Sequence, residues 1–167
     1  MLVVEIESGR LVRVAPDGTK TVAAELGGGP NGAAMGPGNT VYVCHAYGCK
    51  MQTKVRLSAA DISTIRDLMT ATRRDDTAFE ERRAVAYAVA WIERTVGERI
   101  GTSGDRAGME YGGSGDPTQQ DCVDEATNTT SYMLVLQSNG LLRHHTVGTP
   151  LAKDALWRGV GGWPHFT

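Results

Sequence analysis

The chain lacks a long apolar run, an excess of either charge, and the common signatures of cofactor binding. Its 17 Lys and Arg against 19 Asp and Glu leave a net charge of −2, so no basic field marks a surface for nucleic acid or anionic membrane. No apolar segment approaches the ~20 residues of a membrane helix. Met1–Glu7 already holds two glutamates, with no longer apolar stretch behind it, which is unlike a secretory leader. As written, the chain is expected in the cytoplasm without membrane or nucleic-acid partners. There is no GxxxxGK[ST] phosphate loop, and no second Cys-x-x-Cys or His-x-x-x-His to complete a zinc site. Nothing points to a nucleotide, haem or flavin, so neither cofactor nor metal is expected.

Glycine is what the chain has in quantity, 21 residues clustered in Gly27–Gly38, Gly101–Gly115 and Gly159–Gly162. A length of 167 residues allows one modest core. The chain divides into a segment 1–45 and a body 46–167. Leu2–Ile6, Leu11–Val14, Thr21–Leu26 and Thr40–Cys44 are apolar and β-branched. Ala15-Pro16-Asp17-Gly18 and Gly27–Gly32 break them as turns, so 1–45 reads as a β-meander.

In the body, Ser58-x-x-Asp61 is a capping box, and Ile62, Ile65 and Met69 follow at helical spacing, which predicts a helix over Ser58–Thr70. Ala78, Val85, Val89, Ile92, Val96 and Ile100 predict a second over Thr77–Arg99. Ala84, Ala86, Ala88 and Ala90 widen its buried side, and Trp91 falls in the core. Glu80, Glu81, Arg82, Arg83, Glu93, Arg94, Glu98 and Arg99 read as its solvated face. A long loop, Gly101–Gly115, leads to a third helix, capped by Asp116 before Pro117 or by Thr118-x-x-Asp121, and ended by Asn139-Gly140. Leu141–Val147 reads as a strand with His144 and His145 on opposite faces, Leu151–Trp157 as a short helical turn, and Trp163–Thr167 as the entry to another strand. The fold class is therefore α+β: a meander, a helical half and a small antiparallel sheet.

Cys44 and Cys49 bracket His45-Ala46-Tyr47-Gly48, and Cys122 stands apart. A Cys44–Cys49 disulfide with Cys122 free fits an exported protein; three thiols fit a reducing cytoplasm, and both stay open. Cys122 lies near a helix start, where unpaired N–H groups and the helix dipole favour a thiolate. It is either a nucleophile or a small buried residue. A histidine base completes the minimum for thiol catalysis: His165, with His144 or His145 as alternatives. The oxyanion would be held by the Cys122 N–H and a donor from Gly112–Gln120, with Ser114, Gly115 and Gln120 the candidates. Ser114 itself lacks a GxSxG elbow, because position 116 is Asp.

Two resemblances follow from these residues. Gly9-Arg10-Leu11, Pro16-Asp17-Gly18, Pro30-Asn31-Gly32 and Val41-Tyr42-Val43 make residues 9–43 similar to one blade of the gluconolactonase and senescence-marker propellers. In that family an asparagine in such a Pro-Asn-Gly loop helps bind a divalent metal. One blade cannot close a propeller, so the resemblance implies a fused piece that forms a small sheet, packs on the body or mediates self-association. Residues 57–167 resemble the transglutaminase-like, papain-like bacterial cysteine proteinases. Asp121-Cys122-Val123-Asp124, Leu134–Gly140 and His165-Phe166 stand in the family's places. That family's orienting Asp or Asn lies on the strand after the histidine, and this chain ends two residues past His165. The resemblance thus implies a C-terminally truncated body in which Asp124 or Asp154 would substitute, and it admits export of the body's relatives. The expected function is a thiol-dependent hydrolase or acyl-transfer enzyme acting on an amide or ester in a small-molecule or peptide substrate. The alternatives are a non-catalytic, self-associating homo-oligomeric module with Cys122 buried, and a metal-dependent ester or lactone hydrolase using Asn31.

Overall fold

A computed structural model describes residues 2–5, 10–15, 17–25, 35–36, 39–106, 111–148, 152–153 and 165–166. For 2–5, 10–14, 23–25, 35–36, 111, 152–153 and 165–166 it describes the backbone alone. In chain order the elements are β1 (Leu2–Glu5), β2 (Arg10–Val14), β3 (Lys20–Glu25), β4 (Met35–Gly36), β5 (Thr40–His45), β6 (Met51–Arg56), α1 (Ala59–Thr72), α2 (Ala78–Ile100), α3 (Cys122–Ser138), β7 (Ala152–Lys153) and β8 (His165–Phe166). The class is α+β, with three antiparallel sheets ordered β1-β2-β3, β4-β5-β6 and β7-β8. Among the described residues no helix is long and apolar enough to cross a membrane.

The meander forms as its turn chemistry dictates. Gly18 takes a positive φ of 85° and its N–H bonds to the Ala15 carbonyl at 3.0 Å, while the Asp17 carboxylate accepts from the Thr19 N–H at 2.9 Å. Pro16, Asn31 and the rest of 26–34 lie outside the described residues, and with them the metal-dependent reading. β5, grouped above with this segment, belongs with the body. It pairs along its whole length with β6, from Thr40 opposite Arg56 to His45 opposite Met51. β6 has no counterpart in the sequence reading.

The core lies between the β5–β6 hairpin and the three helices. Val41, Val43, Val55 and Leu57 from the hairpin meet Ile62, Ile65 and Met69 of α1, Ala84, Ala88, Ile92 and Val96 of α2, and Tyr132, Val135 and Leu136 of α3. The Ser58–Asp61 capping box opens α1 as expected, and Thr77 caps α2. Asp61 also pairs with Arg99 at 2.8 Å, which joins the start of α1 to the end of α2 and sets the two helices antiparallel. α2 is turned slightly from the expected face. Its buried stripe runs Glu81, Ala84, Ala88, Ile92 and Val96, whereas Val85 and Val89 sit half-buried at its flank and Ala86 and Ala90 are exposed. The small Ala84 and Ala88 let neighbouring helices approach closely, which favours them at the centre.

The larger departure is at the first turn of α2, where Glu80 and Glu81 are buried. Glu81 is fully enclosed. Its carboxylate accepts from the N–H groups of Arg143 (2.8 Å), His144 (2.9 Å) and His145 (3.0 Å), from the His145 ring at 2.9 Å and from Arg73 at 3.1 Å. Arg73 also donates to the Leu141 carbonyl at 2.9 Å. Glu80 accepts from the Arg74 N–H at 3.0 Å and pairs with Arg83 at 2.8 Å, and Arg83 reaches the Thr72 carbonyl. This explains why Leu141–Val147 is irregular and not a strand. Three successive N–H groups converging on one carboxylate cannot also alternate along a ladder.

Burial alone would raise the Glu81 carboxyl. The His145 ring, the Arg143 and His144 N–H groups and the Arg73 guanidinium outweigh it and bring the pKa from 4.5 down to about 2. A folded-state value below the unfolded one stabilises the fold fully above the unfolded value. That stability drains away as pH falls from about 4.5 towards about 2. Its size is about 3 kcal/mol. Glu81→Gln should therefore lower stability at pH 7 by ~3 kcal/mol and remove this part of the acid sensitivity. Urea unfolding of both proteins at pH 7, 4 and 3 measures it. Parallel stability–pH curves would contradict the assignment.

Candidate functional site

Between Cys44 and Cys49 the backbone does something L-residues avoid. Ala46, Tyr47, Gly48 and Cys49 have φ of 70°, 66°, 62° and 58°, a run of left-handed residues only one of which is glycine. Each non-glycine residue in that conformation costs about 1–2 kcal/mol. The turn aims successive N–H groups at the start of α3. Tyr47 N–H bonds to Asp124 Oδ2 at 2.9 Å, Gly48 N–H to Asp121 Oδ2 at 2.9 Å, and Cys49 N–H to Asp124 Oδ1 at 2.6 Å. Hydrogen bonds to a charged acceptor contribute roughly 1.5–3 kcal/mol each, so three offset the strain. The Ala46 N–H donates to the Gln119 carbonyl at 2.8 Å, and the Ala46 carbonyl accepts from the Gly115 N–H at 3.1 Å. A disulfide joins Cys44 to Cys49 and closes the loop. Gly113 packs against the Tyr47 ring so closely that a Cβ there would lie 2.4 Å from the phenol oxygen.

α3 is built to receive this loop. Asp121 is its N-cap, accepting from the Val123 and Asp124 N–H groups, and Asp124 accepts in turn from the Asp121 N–H at 3.2 Å. Neither Asp116 nor Thr118 caps the helix; Asp116 instead turns back on Thr118, accepting from its N–H and hydroxyl. One helical turn beyond Asp124, Asn128 pairs its side-chain amide with the Cys44 backbone, accepting at 2.7 Å and donating at 2.9 Å. That is the two-point pairing a neighbouring strand would give β5. Burial pushes the Asp124 carboxyl up, while the Cys49 and Asp121 N–H groups oppose that rise. The two cysteine sulfurs and an Asp124 oxygen lie within 4.8 Å of one another, a metal-like grouping. The disulfide occupies both sulfurs and the loop occupies both oxygens, so the grouping acts as a clamp.

The expected thiol centre is dispersed among the described residues. Cys122 is a free, half-buried thiol at the first position of α3. His144 contacts Asp76 at 3.1 Å and His145 contacts Glu81, beside the first turn of α2. Leu141 N–H still bonds to Leu136, so this segment leaves from the far end of α3. The 17 residues of α3 at a rise of about 1.5 Å per residue put roughly 25 Å between the helix ends. Neither His144 nor His145 can serve Cys122. The backbone of His165 lies in β8, which packs on α3; its side chain, and Asp154 entirely, lie outside the described residues. The backbone N–H groups of Gly115 and Gln120 are committed elsewhere, while the Gln120 side-chain amide has no partner. Gly115 N–H goes to Ala46, Gln120 N–H goes to Asp105 at 2.8 Å, and the Ser114 hydroxyl accepts from Lys50 at 2.7 Å. Asp124, expected to orient a base, holds the loop.

The sequence reading passed over Asn128, Asp121 as a cap, and the roles of Glu81 and Glu93. A signal was present for the first two. Asp121, Asp124, Asn128 and Ser131 recur at helical spacing among the buried or half-buried positions of α3. A polar stripe on a buried face calls for a polar partner.

A groove of about 1110 Å³ runs between α2 and α3. From α2 it is lined by Val85, Val89 and Glu93 and from α3 by Glu125, Thr129 and Met133, with Asp105 and Gln120 also lining it. Burial raises the Glu93 carboxyl, and Glu125 and Asp105 add to the rise against the opposing Tyr132 hydroxyl. That hydroxyl is directed at Glu93 but completes no hydrogen bond of normal geometry.

Asp124→Ala strips acceptors from three N–H groups and should cost about 2–4 kcal/mol. Reducing the six-residue disulfide loop should cost a further ~2 kcal/mol. Thermal melts of wild type and variant, with and without a phosphine reductant, measure both effects. An unchanged melting temperature in Asp124→Ala would rule out the clamp.

Compared with known proteins, the chain matches no family model, no curated protein and no solved structure.

Proposed function

We propose that this chain is a non-catalytic binding module whose recognition surface is the groove between α2 and α3. The observation that carries this reading is the use made of Asp121-Cys122-Val123-Asp124. Asp124 spends both oxygens on the left-handed loop, and Asp121 spends one on the loop and the other on capping α3. His144 and His145 are anchored at the opposite end of α3. What remains open to a ligand is the groove, whose volume of about 1110 Å³ lies just above the usual range of small-molecule sites. The Cys44–Cys49 disulfide favours an oxidising compartment over the cytoplasm as the place where the chain works.

The thiol-enzyme reading, with the transglutaminase-like resemblance behind it, is the second. The half-buried Cys122 at a helix start and the packing of the His165 strand on α3 favour it. One experiment separates the two. Under the binding reading, iodoacetamide at pH 6.5 alkylates Cys122 no faster than glutathione, and Cys122→Ala leaves any hydrolysis of p-nitrophenyl acetate unchanged. Rapid alkylation of Cys122, together with ester turnover that disappears in Cys122→Ala, would reverse the order of the two readings.

A further inference from the structure

The loop between Cys44 and Cys49 is held to α3 by bonds that do not involve the disulfide. Asp121 and Asp124 accept from the Tyr47, Gly48 and Cys49 N–H groups, Ala46 bonds to Gln119 and Gly115, and Asn128 pairs twice with the Cys44 backbone. Both cysteines are therefore tethered to α3 through their own backbone, with Cα atoms 4.6 Å apart. Cleaving the S–S bond leaves two thiols side by side on a backbone that other contacts keep in place.

What reduction releases is a set of metal ligands. The Cys44 and Cys49 sulfurs and an Asp124 oxygen lie within 4.8 Å of one another. Ligands about 2.0–2.3 Å from one tetrahedral zinc stand roughly 3.3–3.8 Å apart, inside that span. Hydrogen bonds do not exhaust Asp124. Its Oδ2 accepts from the Tyr47 and Asp121 N–H groups, but its Oδ1 accepts from Cys49 alone, and an ionised carboxylate oxygen has two acceptor sites. Carboxylates that ligate metals are themselves hydrogen-bonded. The Gln52 amide nitrogen reaches both sulfurs, at 3.2 Å from Cys49 and 3.8 Å from Cys44, where it supports thiolate charge. His45 stays out of the set. It follows Cys44 along a strand and so faces the other way, with its Nε2 at 2.9 Å from the Thr53 hydroxyl.

Charge points to a cation. Two thiolates would join Asp121 and Asp124, and among the described residues no Lys or Arg pairs with either aspartate. Lys50, next to Cys49, donates to Ser114. Two sulfurs with one carboxylate suit zinc better than magnesium or calcium. Cys44 and Asp124 are fully buried, whereas Cys49 is half-buried between exposed Gly48 and Lys50, which gives an ion and one water a way in.

We propose that the reduced chain binds Zn²⁺ through Cys44 Sγ, Cys49 Sγ and one Asp124 oxygen, with water in the fourth position, so that disulfide and metal are alternative states of one site. A dithiol passes two electrons and two protons to the disulfide, giving two thiols here and a disulfide in the donor. Zn²⁺ then forms two Zn–S bonds and both thiol protons leave to water. This site is separate from the groove and does not depend on it.

The test uses the full chain carrying Cys122→Ala, so that no third thiol competes. Co²⁺, a coloured substitute for zinc, is titrated into the oxidised protein and into protein reduced with a phosphine that is then removed. The reduced protein should show a thiolate-to-cobalt charge-transfer band that Zn²⁺ bleaches, and the oxidised protein none. Zinc should raise the melting temperature of the reduced protein alone. Cys49→Ser should lose the band, and Gln52→Ala should weaken Co²⁺ binding about tenfold. If circular dichroism shows that reduction unfolds the chain, zinc should restore the fold to it and not to Cys49→Ser. A reduced protein without the band, or a band that survives in Cys49→Ser or in the oxidised chain, would overturn the site.

Discussion

The fold depends on an exchange between backbone strain and charge. A left-handed turn at Ala46–Cys49 is unfavourable by itself, and two carboxylates at the start of a helix are crowded by themselves. Brought together, the turn's N–H groups solvate the carboxylates, and the carboxylates hold the turn. The positive end of α3 adds to the arrangement, because it favours negative charge at the same place. The β5–β6 hairpin is thereby fixed to α3 by directed bonds from Tyr47, Gly48 and Cys49, and Asn128 continues the seam along Cys44.

A third carboxylate does comparable work at the opposite end of the helical layer. Glu81 gathers the α1–α2 link through Arg73 and the segment after α3 through three N–H groups. Both ends of the α2–α3 pair are thus closed by a buried acid that accepts from irregular backbone. The apolar core between them, from Ile65 and Ile92 to Leu136, needs no polar device of its own. The groove lies along the flank of this frame; the clamp at Asp121 and Asp124 stays outside it, while His145, held by Glu81, lines it.

What could be read from the sequence was what is encoded locally. Ser58 with Asp61 announces α1, because a cap and its target lie within a few residues, and the apolar spacing from Ala78 to Ile100 announces α2. The turn at Asp17-Gly18 is legible for the same reason. Partners distant along the chain are what escaped. Glu81 looks like a surface acid in its own helix; only the return of Arg143–His145 makes it interior. LLRHHTV has the make-up of a strand, and Glu81 overrides it. Asp124 was given to a histidine by analogy, yet its partners are backbone amides far upstream, which no side-chain pattern advertises. Cys122 was located correctly at a helix start. The neighbours that would make that position reactive are decided by tertiary contacts.

The chain distance between the two halves of the clamp bears on the order of assembly. Cys44 and Cys49 are five residues apart and can meet early, since closing so short a loop requires little search. The carboxylates that make the left-handed turn favourable arrive 73 and 75 residues later in the chain. Until α3 docks, the ring formed by the two cysteines has nothing to hold its amides in a left-handed run. Docking of α3 and the final conformation of the ring are then a single cooperative event, of high contact order, and the step on which the speed of folding should turn.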